Sequence, residues 1–452
     1  MSFEESGETF EEKDIIIIRD KKNIQFNFFM IKIIPVALFF LSFFASLVSN
    51  AWLRIFARKN NFLIDRPDKY RKFHKDPTPL TGGIGITFGI IFSGIFLFFL
   101  TDTSYTSEVS ADNFLGQDQN ESHLIKINEE KGIVVERVDN DSFSITLPDG
   151  NKSIYKISDS GESILLSTSN SSKDLIISNF SFGLALFTIL LQFLMTFDDL
   201  RGLKAQTRLL IQAGCTTGLI FFSGVYLESL GNLFGFGEIY LGLWGIPFTI
   251  FCIVGMVNAF NMIDGLNGLC ASLCLVCFIA IIYMINAETV PSLFPLILPM
   301  GAITGFLMYN LGVLGNQRTV FLGDNGSNAL GFMCAWILVY FSSVENSNFA
   351  PVTALWFVAI PFFDAVGVMV SRAIKGIMPL RPGRDHLHHR LLDLGLTSHT
   401  IFVVLIFISG LFAAIGYIFN HSFPETHYFS FYAFVILWLC YYFLTRYILK
   451  HV

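Results

Sequence analysis

The chain has 452 residues, of which 53% are hydrophobic and 15% charged, and its formal net charge is −6. With 50 phenylalanines and a mean hydropathy of +0.57, it does not have the composition of a soluble domain. We therefore predict a membrane protein whose partners include membrane lipid and no nucleic acid.

Neither a disulfide framework nor a cleaved leader is predicted. None of the seven cysteines lies in a long polar segment. The first 32 residues are charged and precede the first apolar run, so they do not resemble a signal peptide. We expect residues 1–32 to form an extracytoplasmic N-terminal segment.

Eleven apolar runs have the length of a helix that crosses a bilayer. They predict an all-α polytopic membrane protein of about eleven transmembrane helices, with a core formed by residues 33–100 and 179–452. The runs are roughly 33–52, 82–100, 179–197, 207–227, 241–260, 268–285, 291–311, 326–343, 350–371, 400–420 and 427–449.

The short segments between these runs alternate in charge. Those near 228–240, 286–290, 344–349 and 421–426 contain acidic residues but no lysine or arginine. By the positive-inside rule the opposite segments are cytoplasmic, which puts the N-terminus outside and the C-terminus inside. The basic residues of these opposite segments are Arg54, Arg58, Lys59, Arg66, Lys69, Arg71, Lys72, Lys75, Arg201, Lys204, Arg208, Arg318, Arg372, Lys375, Arg381, Arg384 and Arg390.

Residues 101–178 interrupt the apolar pattern on the outer side with a polar, acidic insertion. Short alternating runs at 144–147 and 153–157 flank the turn sequence Pro148-Asp-Gly-Asn151, which predicts a hairpin. We expect a small β-rich extracytoplasmic subdomain, and a partly ordered loop is the alternative.

Four polar residues interrupt the apolar sequence at steps of three. On a continuous helix this spacing would turn the first and the last of them to opposite sides. Gly265 and Gly268 allow the helix to end and the backbone to turn, so we predict a polar turn with a carboxylate at its tip. An ordinary polar loop is the alternative. The four residues are Asn258, Asn261, Asp264 and Asn267.

Two carboxylates, Asp198 and Asp199, close the third apolar run. Carboxylates near hydrocarbon are costly, so they require a partner such as a metal ion, a cation or a substrate proton. Adjacent helical residues point about 100° apart, so we expect only one of them to reach a shared centre. Pairing with Arg201 or Lys204 at the helix end is the alternative.

The sequence Gly323-Asp-Asn-Gly-Ser327 leads into the eighth apolar run. Glycines and polar residues before a helix expose backbone N–H groups that receive an anion. Asp324 would then hold a divalent cation beside bound phosphates, and Mg²⁺ suits such a site, with Mn²⁺ as the alternative ion. A simple N-cap is the other interpretation.

The most basic inner segment contains three histidines in four positions, His386, His388 and His389, after Arg381 and Arg384. Cations repel a metal and attract phosphate, so a diphosphate clamp is favoured over a zinc site.

Asp364 lies inside the ninth run, where a carboxylate is a candidate for function by default, and burial against Arg372 is its alternative. The basic segment at 65–83, with Lys72 and His74, is expected to attract a lipid headgroup, or else only to anchor the chain.

These residues, taken together and in order, resemble those of the polyprenyl-phosphate N-acetylhexosamine-1-phosphate transferases. The resemblance covers residues 33–449 apart from the insertion. The single His-x-His-His segment is most similar to the bacterial undecaprenyl-phosphate GlcNAc-1-phosphate branch. The motifs that carry it are Asp198-Asp199, Asn258-x-x-Asn261-x-x-Asp264-Gly, Gly323-Asp324-x-Gly-Ser327, Pro361-x-x-Asp364 and His386-x-His388-His389.

The resemblance implies an Mg²⁺-dependent reaction of UDP-GlcNAc with undecaprenyl phosphate at the cytoplasmic face of a bacterial inner membrane. It implies that Asp324, with Asp198, holds the metal ion, and that Asp198, Asp199 and Asp264 act in catalysis. Substrate contacts are implied for the remaining candidates, which are Asn258, Asn261, Asn267, Arg381, Arg384, His386, His388, His389, Lys72 and His74.

Two features depart from the family pattern. Asn267 stands where many members of this branch carry an aspartate, and the insertion at 101–178 is not part of the usual core. Another UDP-sugar, a 6-deoxy-N-acetylhexosamine or the muramoyl-pentapeptide, remains an alternative donor, and a membrane transporter is the alternative of another class. A homodimer is the protein partner that we consider.

Overall fold

The structure is a computed structural model. It describes residues 11–67, 76–101, 134–139, 142–146, 152–157, 163–169, 172–285, 293–343, 349–379, 383–424 and 426–446. Three of the predicted site residues, Lys72, His74 and Arg381, lie outside the described residues.

Most of the described chain is helical. The helices are α1 (Glu11–Asn60), α2 (Gly82–Thr101), α3 (Ser172–Arg201), α4 (Ala205–Ser223), α5 (Gly245–Ile263), α6 (Leu269–Met284), α7 (Phe294–Asn310), α8 (Gly323–Ser343), α9 (Pro351–Phe357), α10 (Ala359–Ile374), α11 (Leu387–Asp393), α12 (Ser398–Ser422) and α13 (His427–Arg446). Each of the eleven predicted apolar runs coincides with one of these helices or, for 350–371, with the pair α9 and α10.

Within the described residues, five helices are long and apolar enough to cross a membrane, or six if the bent pair α9 and α10 counts as one span. A multi-pass membrane protein is therefore confirmed, whereas the number of eleven spans and their orientation stay predictions. The five helical segments are Ile33–Asn60, Asn179–Arg201, Gly242–Ile263, Ser398–Ser422 and His427–Arg446. The segments Gly82–Phe96, Leu269–Met284 and Phe294–Asn310 are apolar but shorter.

The chain divides into two compact units, Met1–Ile34 with Phe98–Ser178, and Pro35–Leu97 with Asn179–Val452. The first unit contains an antiparallel four-stranded sheet in the order β3-β4-β5-β6, formed by Val134–Asp139, Ser142–Thr146, Lys152–Ile157 and Ser163–Ser169. Strands β4 and β5 pair as the predicted hairpin requires, and its turn at 148–151 lies outside the described residues.

Helix α8 is the central helix of the second unit. Every residue from Asn325 to Ser342 is buried, and the helix packs against α5, α6 and α9. Its sequence is apolar nearly all the way round after the first turn, which is the pattern of a helix enclosed by others. The N-terminus of α8 is therefore fixed inside the bundle.

The first strand pair and the start of α2 position a second segment at the N-terminus of α8. Strand β1 (Ile64–Asp65) pairs with β2 (Thr78–Pro79). The backbone then forms a short ladder with the segment before α8, because Gly82 N donates to Phe321 O at 3.0 Å and Gly83 N to Leu322 O at 3.1 Å.

The predicted run 350–371 is not one straight helix. It breaks at Val358 into α9 and α10, which are bent by 89°. Pro361 has no N–H to donate to the carbonyl of Phe357, four residues earlier, and its ring crowds that carbonyl. The break follows from this proline, which directs α10 and Asp364 away from the line of α9.

Candidate active site

Asp199, near the C-terminal end of α3, caps the N-terminus of α8. Its Oδ1 accepts a hydrogen bond from Asp324 N at 2.9 Å, and its Oδ2 accepts from Asn325 N at 3.0 Å and from Asn325 Nδ2 at 2.5 Å. A carboxylate at this place satisfies first-turn donors and favours the helix dipole. These N–H groups were predicted to receive a ligand anion, but two of them already bind Asp199.

Asp198 forms a different contact from its neighbour. Its side chain is 4% exposed, and its Oδ1 accepts from Leu203 N at 2.6 Å. Arg208, at the start of α4, lies 3.2 Å from Asp198 Oδ2 and 3.6 Å from Asp324 Oδ2. Asp199 therefore contacts Asp324 directly, through the backbone N–H of Asp324, whereas Asp198 is connected to Asp324 through Arg208. Their partners are not Arg201 or Lys204.

Asp324 is accessible to solvent where α3, α4 and α8 meet, because its side chain is 45% exposed. Asn261, near the end of α5, donates through Nδ2 to Asp324 Oδ1 at 3.0 Å and to Ser327 Oγ at 2.8 Å. These bonds join the C-terminal end of α5 to the first turn of α8 and fix one oxygen of Asp324.

The predicted polar turn after α5 is confirmed. The helix ends at Ile263, Asp264 has a non-helical backbone, and α6 begins at Leu269 after Gly268 with φ +80°. Asn310 supports this turn, because its side-chain oxygen accepts from Gly268 N and its Nδ2 donates to Val320 O at 2.8 Å. The turn is thus connected to the segment that enters α8.

A chain of buried and half-buried amides connects α4, α5 and α8. Asn258 Nδ2 donates to Gln212 Oε1, Gln212 Nε2 to Asn328 Oδ1, and Asn328 Nδ2 to Asp324 O, each at 2.7 Å. Fully paired buried amides specify one relative placement of their helices. This places Asn258 in a network that positions Asp324.

The histidine segment is attached to α10 by Asp364, which is 1% exposed. Asp364 Oδ2 lies 2.7 Å from His386 Nδ1, and its Oδ1 accepts from Leu387 N at 2.8 Å and from Tyr441 Oη at 3.1 Å. The predicted alternative, Asp364 buried against Arg372, is wrong.

Arg372 instead holds the neighbouring residue of the same segment. Its Nε and Nη2 donate to the two carboxylate oxygens of Asp385 at 3.0 and 2.5 Å. Burial alone would raise the pKa of Asp385, but the hydrogen bonds and charge of Arg372 lower it below its usual value. The segment that carries the histidines is therefore held at two points, by Asp364 and by Arg372.

His388 connects this segment to the polar turn. It is 1% exposed, and a β-carbon added to Gly265 would collide with its Nε2. Neither ring nitrogen has a hydrogen-bond partner in the described part of the chain. Burial, and then the charge of His389, lowers the pKa of His388 to about 3, so the ring is neutral at pH 7. The rings of His388 and His389 are 4.2 Å apart.

Comparison with known proteins agrees with this arrangement. Residues 181–342 match glycosyl transferase family 4. The undecaprenyl-phosphate alpha-N-acetylglucosaminyl 1-phosphate transferase of Escherichia coli K12 is 36% identical over 264 residues, which are 58% of this chain and 70% of that protein. The protein of the same name from Yersinia pestis is 37% identical over 230 residues, 51% of this chain and 63% of that protein. This chain belongs to glycosyl transferase family 4.

The match to family 4 covers the part of the site formed by α3, α5 and α8, with all four predicted aspartates of that part. The histidine segment lies beyond the matched residues, and the geometry connects it to this part through Gly265. The sequence-based assignment to this family is confirmed.

In this family 4 transferase the carboxylates create an excess of negative charge. Burial, reinforced by the charges of Asp324 and then of Asp199, raises the pKa of Asp264 to about 8. Among the described residues no three His, Cys, Asp or Glu side chains form a ready metal centre. Mg²⁺ does not require one, because it uses one or two carboxylates together with phosphate oxygens and water. Asp324 and Asp264 fit that description better than Asp198, whose oxygens are already bound.

Two further predicted substrate residues, Asn267 and Arg384, belong to the described part of the chain. Asn267 is exposed and makes no hydrogen bond to another described residue. Arg384 Nη2 lies 3.5 Å from Asp393 Oδ1, and burial, followed by the charge of Arg384, lowers the pKa of His389.

Sequence reasoning missed two residues of the family 4 site, Arg208 and Gln212. Arg208 was counted only as an inner basic residue, although it bridges Asp198 and Asp324. A usable signal was present, because Arg208, Gln212 and Thr216 recur at intervals of four along a largely apolar helix. Such spacing puts polar groups on one helix face, where they must find partners.

Proposed function

We propose that this chain transfers GlcNAc-1-phosphate from UDP-GlcNAc to undecaprenyl phosphate, giving undecaprenyl-diphosphate-GlcNAc and UMP. The single observation that carries the proposal is the contact of Asp199, Asn261 and Arg208 with Asp324 at one end of the bundle. The names of the relatives support this acceptor and this sugar phosphate.

The reaction is a displacement at phosphorus. A phosphate oxygen of the lipid attacks the sugar-linked phosphorus of the donor, the new P–O–P bond forms, and UMP leaves with the electrons of the broken bond. Both reactants are anions, so the protein has to place them in line and to compensate their charge. A site at the end of apolar helices suits a reaction between a water-soluble donor and a lipid acceptor.

Each side chain has a proposed task within this scheme. Asp324 and Asp264 would hold Mg²⁺, which when bound would neutralise charge on the diphosphate. Asp199 holds the first turn of α8, and thereby Asp324, in place through the backbone. Arg208 holds Asp198 and attracts the second oxygen of Asp324. Because its side chain is partly exposed, the guanidinium of Arg208 would also be available to a phosphate oxygen.

The histidine segment would contact the donor diphosphate. His388 is neutral and has two unpartnered ring nitrogens, one of them against Gly265, so it offers a hydrogen-bond donor or acceptor beside Asp264. Asp364 fixes the orientation of His386, as carboxylates commonly do for functional imidazoles.

The decisive test is turnover with purified protein in detergent, undecaprenyl phosphate, Mg²⁺ and a panel of UDP-sugars. We expect UMP and a lipid-linked product with UDP-GlcNAc, and loss of both after Asp324→Asn. Glu238→Gln, which removes an exposed carboxylate elsewhere, is the matched control and should keep full activity. A product with another UDP-sugar only, or full turnover by Asp324→Asn, would contradict the proposal.

The membrane topology is proposed with the function. We propose eleven spans in a bacterial inner membrane, with the N-terminus outside and the carboxylates at the cytoplasmic face. The background is the protein in which the exposed Cys440 and the half-buried Cys252 are replaced by serine. In it, a cysteine introduced at Lys204 or at Thr319 should resist an impermeant thiol reagent added to cells. A cysteine at Glu130 should react, and the opposite pattern would reverse the orientation.

A further inference from the structure

Three arginines converge on one cavity away from the carboxylates. The cavity has a volume of about 410 Å³ and lies between the C-terminal part of α1 and the segment before α8. No predicted site residue lines it. The lining residues are Arg54, Arg58, Leu314, Gly315, Asn316, Gln317 and Arg318.

The charges around this cavity are not balanced. Arg54 and Arg58 are one helical turn apart on α1, where like charges destabilise a helix, and Arg318 adds a third positive charge. No carboxylate is among the lining residues. An arrangement of this kind is stabilised by an anion that enters the cavity.

Hydrogen bonding gives an independent indication of a missing partner. Arg58 Nη2 donates to Gln317 O at 2.9 Å, which fixes its guanidinium at the rim. Arg54 Nε is buried and has no acceptor among the residues that the structure describes. A buried guanidinium donor without an acceptor is costly, and a phosphate oxygen satisfies it through a charge-assisted bond.

The surroundings of the cavity indicate the source of the phosphate. Trp52, Ile55 and Phe56 belong to the same end of α1 as Arg54 and are 61%, 58% and 42% exposed, although helix geometry turns Trp52 and Phe56 to another side than Arg54. This helix is one of those long and apolar enough to cross a membrane, so these side chains suit a lipid surface. Arginines at the end of an apolar, lipid-facing helix attract the headgroups of anionic phospholipids.

We propose that Arg54, Arg58 and Arg318 form a second anion site, which binds the phosphate of an anionic membrane phospholipid. A nucleotide diphosphate with its metal ion fits less well, because the cavity offers no carboxylate. The bound lipid would tie α1 to the segment 314–318, whose continuation bonds to Asn310 through Val320 O. Lipid binding would therefore stabilise the entry into α8. This site does not depend on the proposed function.

The test uses the full-length protein in detergent and measures the shift of its thermal transition on titration with phosphatidylglycerol. Phosphatidylcholine and inorganic phosphate serve as the neutral-lipid and free-phosphate arms. We expect phosphatidylglycerol to raise the transition temperature of the wild type, with half-saturation at least about tenfold below that for inorganic phosphate, because the acyl chains add apolar contact.

Arg54→Gln and Arg318→Gln should each weaken the phosphatidylglycerol effect about tenfold or more, the loss expected for a charge-assisted bond. Lys59→Gln is the matched control, because Lys59 is an exposed cation at the same helix end but does not line the cavity. Since Arg318 is exposed, Arg318→Gln is expected to fold. If Arg54→Gln fails to fold, Arg318→Gln decides the outcome.

Three results would overturn the proposal. The first is an equal loss in Lys59→Gln and Arg318→Gln, which would indicate general surface charge. The second is an equal effect of inorganic phosphate, which would indicate a free anion. The third is a lost response to undecaprenyl phosphate in Arg318→Gln with an intact response to phosphatidylglycerol, which would assign the cavity to the acceptor lipid.

Discussion

The Nε2 atom of His388 occupies the space that a β-carbon on Gly265 would need. This contact joins the histidine segment after α10 to the turn after α5, two parts of the chain more than a hundred residues apart. Asp264 directly precedes Gly265, so the glycine determines how closely an imidazole approaches that carboxylate.

Gly265→Ala is therefore expected to displace His388 without unfolding the protein. A displacement of about 1 Å in a site that works by positioning reduces turnover by roughly 100-fold. The control is Gly255→Ala, because the β-carbon there meets no atom within 4 Å. UMP release and the thermal transition should be measured for both variants. Normal turnover by Gly265→Ala would show that the reaction does not depend on the close packing of His388 against Gly265.

Asp199 and Asp324 are expected to respond differently to substitution. Asp199→Ala removes the acceptor for two backbone N–H groups of α8, so the free energy of unfolding should fall by about 1–3 kcal/mol. Asp324→Asn should leave stability within about 0.5 kcal/mol, because its carboxylate is 45% exposed, while activity is lost.

Denaturant titration in detergent, together with UMP release, separates these two effects. If Asp324→Asn were the more destabilising substitution, the assignment of capping to Asp199 and of ligand contact to Asp324 would be reversed. Asp199→Asn provides an intermediate case, because one amide oxygen can still accept from the backbone.

Much of the architecture could be predicted from the sequence. In a membrane protein, a long apolar run between polar segments predicts the position of a helix. Every predicted run coincides with a helix or with a pair of helices. Gly265 and Gly268 correctly predicted the end of α5 and the turn. The break at Val358 was missed although Pro361 was present. Hydropathy indicates the length of an apolar segment, but it does not show whether that segment forms one continuous helix.

The contacts within the site could not be predicted in the same way. Asp199 bonds to a backbone N–H 125 positions later, and hydrophobic periodicity contains no information on which helix ends meet. Arg208 was visible only as one of several inner cations, and its choice of Asp198 depends on how α3 and α4 pack. The sequence thus identified most of the polar side chains of the site, whereas the contacts between them follow from how the helices pack.

Arg208 and Asp198 are expected to depend on each other for stability. Arg208→Gln leaves a carboxylate with 4% exposure beside Asp324 without its cation, so the free energy of unfolding should fall by about 3–5 kcal/mol. Adding Asp198→Asn should recover most of that loss, because the unpaired charge is then absent. Losses that simply add in the double variant would show that the pair does not interact.

His388 is expected to make the stability of the protein depend on pH. Burial, and then the charge of His389, lowers the pKa of His388 to about 3, whereas a histidine in the unfolded chain has a pKa of about 6.5. Between these values the unfolded state binds the extra proton, so stability is complete above pH 6.5 and falls as the pH is lowered. The loss is about 1.4 kcal/mol per pH unit, or about 2 kcal/mol at pH 5.

The thermal transition should be followed between pH 7.5 and pH 5 for the wild type, for His388→Gln and for His399→Gln. His388→Gln should flatten the profile because it removes the buried imidazole, whatever its effect on stability at pH 7.5. His399 is exposed at the start of α12, so its replacement should leave the profile unchanged. A profile of the same slope in all three proteins would mean that His388 takes up its proton without unfolding, and that its ring is accessible to water in the native state.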